Sequence, residues 1–194
     1  MSSWGTSPDA VDNKPKHLTA EEKRDVYATN KGWTATAGGN DNPAADREVL
    51  VAIGDLAGSS ASTGLQEATI TNLRFAPGTT ATTDHTAGGG ATVTIEITWD
   101  EAVTVVGAPV MKVVNSGGGT HDCVYTSVGS TANKKVFTVA GQTLAAGNVL
   151  SLGTALHDAV TLPGGASIKD TASGTVNSQR GLAAAIRVTH TVLA

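Results

Sequence analysis

The sequence predicts an all-β protein, a β-sandwich preceded by an extended N-terminal arm and a β-hairpin. In the stretch 92–99, apolar residues alternate with threonine and glutamate, a period of two that is typical of a half-buried strand. The composition agrees with this. The chain has 23 glycines, 4% aromatic residues and 15% charged residues, which is typical of short strands joined by tight turns.

The N-terminal segment covers residues 1–57. Its first 24 residues are polar and predict an arm, with one helical turn at 18–24, because Thr19-Ala-Glu-Glu22 fits a capping box. The runs 25–29 and 33–37 flank Asn30-Lys-Gly32 and predict a β-hairpin in which Asn30 or Gly32 supplies the positive φ of the turn. The run 48–53 predicts a third strand.

A Gly/Ser-rich run at 58–64 predicts a flexible linker, so the sandwich begins at residue 65 and extends to residue 194. Its first strand is predicted at 68–75, with Ile70, Leu73 and Phe75 facing inward, and a long polar loop follows at 77–90. The later strands are predicted at 92–99, 102–106, 110–114, 123–125, 136–139 and 148–152, with an edge segment at 168 and a closing strand at 185–193.

Large core side chains are scarce, so the sandwich is predicted to depend on Trp99, Tyr125 and Phe137. Cys123 lies within a predicted strand, and we expect it to be a small core residue and not a reactive thiol. A core with so few large anchors leads us to expect help from oligomerisation or from a docking partner.

The N-terminal segment also supplies the candidate binding residues. It is too short for a sizeable core of its own, yet it holds three of the chain's five tryptophans and tyrosines. Trp4 either docks on a partner or packs on its own domain. The lysines of the arm suit an acidic partner surface, although nearby acidic residues also fit a solvated segment. The predicted interface comprises Trp4, Lys14, Lys16, Tyr27 and Trp33.

The charge and the composition narrow the classes of partner. The formal net charge is −4 and no basic stripe is present, so we expect no nucleic-acid binding. No apolar run approaches the roughly 20 residues of a membrane span, so no membrane association is expected. The first residues do not combine a basic region with an apolar stretch, so no export signal is predicted.

The sequence contains no catalytic or cofactor-binding pattern. The histidines lack metal-site spacing, the serines lie in turns, and the glycine runs at 88–90 and 117–119 lack the lysine of a phosphate loop. We therefore expect no enzymatic turnover and no cofactor. Asp100, Glu101, Asp170 and Asp158 lie in separate loops that can meet at one end of a sandwich and form a calcium site. The alternative, exposed turn carboxylates, is favoured because no Asp-x-Asp-x-Asp loop occurs.

One resemblance concerns residues 66–194. These contain Glu-Ala-Val-Thr-Val-Val-Gly-Ala-Pro at 101–109, a tyrosine at 125 and Ile-Lys-Asp at 168–170. The order and spacing of these motifs resemble the Ig-like domains that are repeated in bacterial surface adhesins. The resemblance implies an Ig-like β-sandwich with a binding, display or stalk role and no catalysis.

A second resemblance concerns the N-terminal segment. Trp-Gly at 4–5, Asp-Asn-Lys-Pro-Lys at 12–16, Asp-Val-Tyr-Ala-Thr at 25–29, Gly-Trp at 32–33 and Glu-Val-Leu-Val-Ala-Ile-Gly at 48–54 follow one another. This order is similar to the leader of small virion structural proteins from tailed phages of cyanobacteria. The resemblance implies attachment to a particle, with the C-terminal part displayed outward.

Together these features lead us to expect a non-enzymatic decoration or cement protein on the capsid surface of the virion. The expected partners are the major capsid protein lattice, further copies of this chain and a host-surface glycan. A tail or baseplate location and a bacterial adhesin domain are the alternatives, and the lack of an export signal counts against the adhesin.

Overall fold

The computed structural model describes residues 14–36, 46–54, 56, 67–76, 90–152, 154 and 157–192. In this part of the chain there are one short α-helix, α1 (Glu22–Asp25), two 3-10 turns (Pro163–Gly165 and Ala184–Ile186) and twelve strands. The second 3-10 turn lies where the closing strand was predicted to begin, at residue 185. The strands are β1 (Tyr27–Thr29), β2 (Gly32–Ala35), β3 (Glu48–Ala52), β4 (Ile70–Phe75), β5 (Ala91–Trp99), β6 (Val103–Val106), β7 (Val110–Asn115), β8 (Thr120–Thr126), β9 (Lys134–Gln142), β10 (Val149–Leu152), β11 (Ser167–Asp170) and β12 (Val188–Thr191). The all-β prediction is confirmed.

The predicted hairpin and third strand form a small antiparallel sheet in the order β1-β2-β3. Gly32, at the start of β2, has a φ of 121°. A Cβ atom at this position would collide with the carbonyl oxygen of Val51 on β3, so the turn and the close approach of β3 both require glycine. The predicted capping box is also present. Thr19 N–H donates to the Glu22 carboxylate over 2.7 Å, and Glu22 N–H donates to Thr19 Oγ1 over 3.3 Å.

Seven strands form the main antiparallel sheet, in the order β12-β10-β7-β8-β9-β5-β4. The sheet curls until its two edge strands approach each other, and the rings of Phe75 on β4 and His190 on β12 lie 5.6 Å apart. A separate ladder of β6 and β11 packs on the same core through Val103 and Ile168. The result is sandwich-like and close to a closed barrel.

The alternation in β5 is confirmed, because Val93, Ile95, Ile97 and Trp99 are fully buried. The indole N–H of Trp99 donates to the carbonyl oxygen of Gln179 over 2.9 Å, which satisfies the polar atom of this large ring. Phe137 and Tyr125 form an edge-to-face pair with ring centroids 6.0 Å apart. Phe137 is buried, whereas Tyr125 is half-buried.

A register shift explains the core positions of β4. Ile70 pairs with Trp99 of β5 and Asn72 pairs with Thr98, so one extra residue is inserted in β4. Ile70 and Leu73 are therefore both buried, although strict alternation would place residues three apart on opposite faces. Phe75, the third inward candidate, is half-buried and packs against the core. The predicted linker at 58–64 lies outside the described residues, as does almost all of the predicted loop at 77–90.

Candidate functional site

The N-terminal sheet has a small apolar core of its own. The indole of Trp33 is fully buried there with Val26, Ala28 and Leu56, and Leu18 is among the half-buried residues that pack around it. The segment was expected to have no sizeable core, and this cluster is small, but it is enough to bury Trp33 completely. Leu56 comes from beyond β3 and Leu18 from before α1, so the cluster gathers residues that no single hairpin would bring together.

The five predicted interface residues do not form one exposed surface. Trp33 is fully buried and Lys14 is 3% exposed, so neither side chain reaches the surface of the described chain. The ring of Tyr27 is 8% exposed. Lys16 is exposed. Trp4 lies outside the described residues. An outward-facing interface is therefore wrong for Lys14, Tyr27 and Trp33, because all three are buried in the described chain.

Arg47 covers the ring of Tyr27. The guanidinium carbon lies 4.1 Å from the ring centroid, and Nη2 donates to the carbonyl oxygen of Asp25 over 2.7 Å. A cation over an aromatic face is attractive because of the ring quadrupole. Sequence reasoning missed Arg47, since it precedes β3 and only the pairing of β2 with β3 brings it beside Tyr27.

The N-terminal sheet docks directly on the end of β5. Ala28 N–H donates to the carbonyl oxygen of Asp100 over 2.7 Å, and Ala28 forms a parallel bridge with Glu101. The buried amide of Asn133 donates to the carbonyl oxygens of Arg24 and Trp99, each over 3.1 Å. One side chain therefore ties the end of α1 to the end of β5. We call the contact made by Ala28, Arg24, Asp100, Glu101 and Asn133 the junction.

Asp100 is fully buried at the junction, and its carboxylate is well supplied with donors. Thr69 donates to it from both its backbone N–H and its hydroxyl, each over 2.6 Å. Burial nevertheless raises the pKa of Asp100 to about 6, against the opposing effect of these hydrogen bonds and of Lys14.

Glu101, the other acidic residue of the junction, lacks the hydrogen bonds that Asp100 receives. Its side chain is 1% exposed, and neither carboxyl oxygen has a hydrogen-bond partner among the described residues. Burial, together with the negative charges of Asp100 and Asp170, raises its pKa to about 9. Glu101 is therefore a neutral carboxylic acid at pH 7, enclosed where the hairpin meets the sandwich.

The four candidate calcium ligands are arranged differently from either expectation. Asp100, Glu101 and Asp170 are buried, so the prediction of exposed turn carboxylates is wrong for these three. Asp170 accepts the backbone N–H groups of Ala172 and Ser173, over 2.9 Å and 3.1 Å. Asp158 lies elsewhere, 3.7 Å from Arg187. Across the described residues, no group of three or more histidine, cysteine or acidic side chains is placed to hold a metal ion.

The outer edge of the N-terminal sheet is the most open backbone of this region. β3 pairs with β2 along one side, and no described strand pairs with its other side. Along β3 every residue is exposed or half-buried, and Val49 is 40% exposed. An edge strand presents unpaired N–H and C=O groups in a row, and these can pair with a strand of another chain.

Cys123 is fully buried, as predicted, and burial raises the pKa of its thiol to about 12.

In the part of the chain that the structure describes, no helix has the length and apolar character to span a membrane.

Comparison with family models, with curated proteins and with solved structures finds no match to this chain.

Proposed function

We propose that this protein is a non-enzymatic structural protein of a tailed-phage particle, a decoration or cement protein of the head. The proposal starts from the N-terminal motifs that are similar to the leader of small virion proteins. The motifs at 25–29, 32–33 and 48–54 coincide with β1, β2 and β3. Three of the five motifs thus fall on one folded unit, the N-terminal sheet, whereas the motifs at 4–5 and 12–16 precede it.

The open edge of β3 is the observation that carries the attachment proposal. An exposed edge strand binds a partner by adding a strand to its sheet, with backbone hydrogen bonds supplying the affinity. A strand or extended arm of the major capsid protein is the partner that this edge would take. The exposed Val49 side chain adds apolar contact at the same place. Lys16, which is exposed, suits an acidic patch on the same partner.

The sandwich is the displayed part under this proposal. Because a capsid repeats its subunits, many copies of the sandwich would face outward together. Many weak contacts to a host-surface glycan then add up to firm binding. Contacts between neighbouring copies on the lattice would supply the oligomerisation expected from the scarcity of large core residues.

Removal of the N-terminal unit tests the division of labour. A fragment starting at residue 64 is expected to be folded and β-rich by circular dichroism, because the main sheet and its core lie after that residue. It is also expected to fail to co-sediment with particles that lack the protein, whereas the full chain binds them. Co-sedimentation of this fragment at the level of the full chain would show that the sandwich is the anchor.

The copy number in purified particles separates the head from the tail. A number that matches the capsomers of the shell supports a decoration protein. A few copies, set by the symmetry of the tail, would instead place the protein on the tail or baseplate.

A further inference from the structure

A cleft with a volume of about 260 Å³ lies between the N-terminal segment and β4. It is lined by Lys14, Ala20, Lys23, Arg24, Thr71 and Asn72. Three of these six side chains are cationic, and none is acidic. The cleft is therefore a local concentration of positive charge, with three of the chain's 13 basic residues, in a protein whose net charge is −4.

The cations of the cleft retain donors that the described chain does not use. Lys14 is 3% exposed and donates to the carbonyl oxygen of Lys23 over 2.7 Å, which occupies one of the three donors of an ammonium group. Burial lowers the pKa of Lys14 to about 8, so its charge is costly here without a partner anion. Asp25 and Asp100 oppose this effect from a distance, and neither forms an ion pair with Lys14 within the described residues.

Arg24 and Asn72 add two buried polar atoms without partners. Nη1 of Arg24 pairs with Glu21 over 2.7 Å, but its Nε has no hydrogen-bond partner among the described residues. The Oδ1 atom of Asn72 is likewise buried and unpartnered. Since the two ends of an amide are interchanged by rotation, Asn72 is also able to present N–H donors to the cleft. Buried polar atoms without partners in a native protein indicate a missing water, ion or ligand.

We infer that this cleft binds a tetrahedral oxyanion, a phosphate or sulfate group, held by Lys14, Lys23 and Arg24 with Thr71 and Asn72 beside them. Guanidinium and ammonium groups form the short, charge-assisted hydrogen bonds that such anions favour. The group is either a free ion or the terminal group of a larger molecule such as a sulfated sugar. This inference stands apart from the attachment proposal, because it uses neither the edge of β3 nor a particle.

Binding is tested by titrating the full chain with sodium phosphate and sodium sulfate, and with sodium chloride at the same ionic strength. We expect phosphate or sulfate, but not chloride, to raise the melting temperature in a saturable way. In two-dimensional amide spectra the shifts of Thr71 and Asn72 should move with the same saturation curve. Equal effects of all three salts, or shifts confined to other parts of the chain, would overturn the inference.

Two matched variants test the residues. Lys23→Gln removes a half-buried charge from the cleft, and Lys169→Gln removes a half-buried charge on β11, outside it. Loss of one charge-assisted hydrogen bond should weaken binding by at least about tenfold in Lys23→Gln, whereas Lys169→Gln should bind like the native chain. Equal binding by the two variants would contradict the site.

A titration with glucose 6-sulfate shows whether the site takes a free anion or the terminal group of a larger molecule. Tighter binding than that of inorganic sulfate indicates a terminal group, and equal or weaker binding indicates the free ion.

Discussion

At the scale of single residues, the local pattern predicted the core but not the junction. The alternation over 92–99 identified four fully buried side chains of β5. The sequence also favoured exposed turn carboxylates at Asp100 and Glu101, and this is wrong, because both are buried where the hairpin reaches them through Ala28. Ala28 and Glu101 are far apart in the sequence, so their contact cannot be predicted from the alternation of apolar and polar residues within either segment.

Glu101 should make the stability of the protein fall as pH rises. Its pKa is about 4.5 when unfolded and about 9 when folded, so between these values the unfolded chain releases a proton that the folded chain keeps. The free energy of unfolding then falls by about 1.4 kcal/mol per pH unit. Asp100 adds to this slope below about pH 6, whereas Lys14 and Lys135 oppose it above about pH 8. The interval from pH 6 to pH 8 therefore isolates Glu101.

Urea unfolding at several pH values in this interval checks the slope. Glu101→Gln replaces the neutral acid with a neutral amide of similar shape, so the slope should be lost and the variant should be more stable than the native chain at pH 8. Glu67→Gln, at an exposed position, is the control and should keep the slope. The same slope in Glu101→Gln and the native chain would show that another group causes it.

Trp99→Ala should be among the most damaging single changes in the sandwich. The ring is fully buried, and its N–H is bonded to the carbonyl oxygen of Gln179. Truncation of a buried aromatic residue costs about 3–5 kcal/mol, a large part of the stability of a domain of this size. Denaturant unfolding should show a smaller loss for Tyr125→Ala, because Tyr125 is only half-buried. An unchanged midpoint for Trp99→Ala would contradict its place in the core.

At the scale of elements, the sequence predicted where the strands lie better than how they pair. The hairpin, the third strand and the strands of the sandwich were found from period, turn residues and β-branched runs. The order of the main sheet was not predicted. In that sheet β9 lies between β5 and β8, and β10 pairs with both β7 and β12. Such pairings depend on long-range packing, and periodicity reports only which face of a strand is buried.

Asn133 should hold the hairpin and the sandwich together. Asn133→Ala leaves the carbonyl oxygens of Arg24 and Trp99 with one donor fewer, which costs about 1–3 kcal/mol. Hydrogen exchange should then speed up at Ala28, whose N–H bonds to Asp100, while amides in the middle of β5 and β9 remain protected. Asn177→Ala, at an exposed position, is the control. Equal acceleration across the whole main sheet would assign Asn133 to the sandwich and not to the junction.

At the scale of the whole molecule, composition was enough to predict an all-β chain. The flexible linker predicted at 58–64 implied that the N-terminal segment and the sandwich move as separate units. The junction changes this view, since backbone and side-chain hydrogen bonds join the N-terminal sheet to the end of β5. Those bonds were not predictable from the sequence. They join the hairpin to the segment that holds Asp100 and Glu101, and the sequence favoured an exposed turn for these two residues. Through these bonds the sandwich helps to hold the N-terminal sheet in place, and the open edge of β3 belongs to that sheet.

The most direct test of the attachment proposal compares two valine variants of the full chain. Val49 on β3 is 40% exposed and Val124 on β8 is 38% exposed, so the change to lysine is matched in exposure and charge. Melting temperatures should confirm that both variants fold. In co-sedimentation with particles lacking the protein, Val49→Lys should lose binding, because a charge on an edge strand opposes the addition of another strand. Val124→Lys should bind like the native chain. Equal binding of both variants would contradict attachment through the edge of β3.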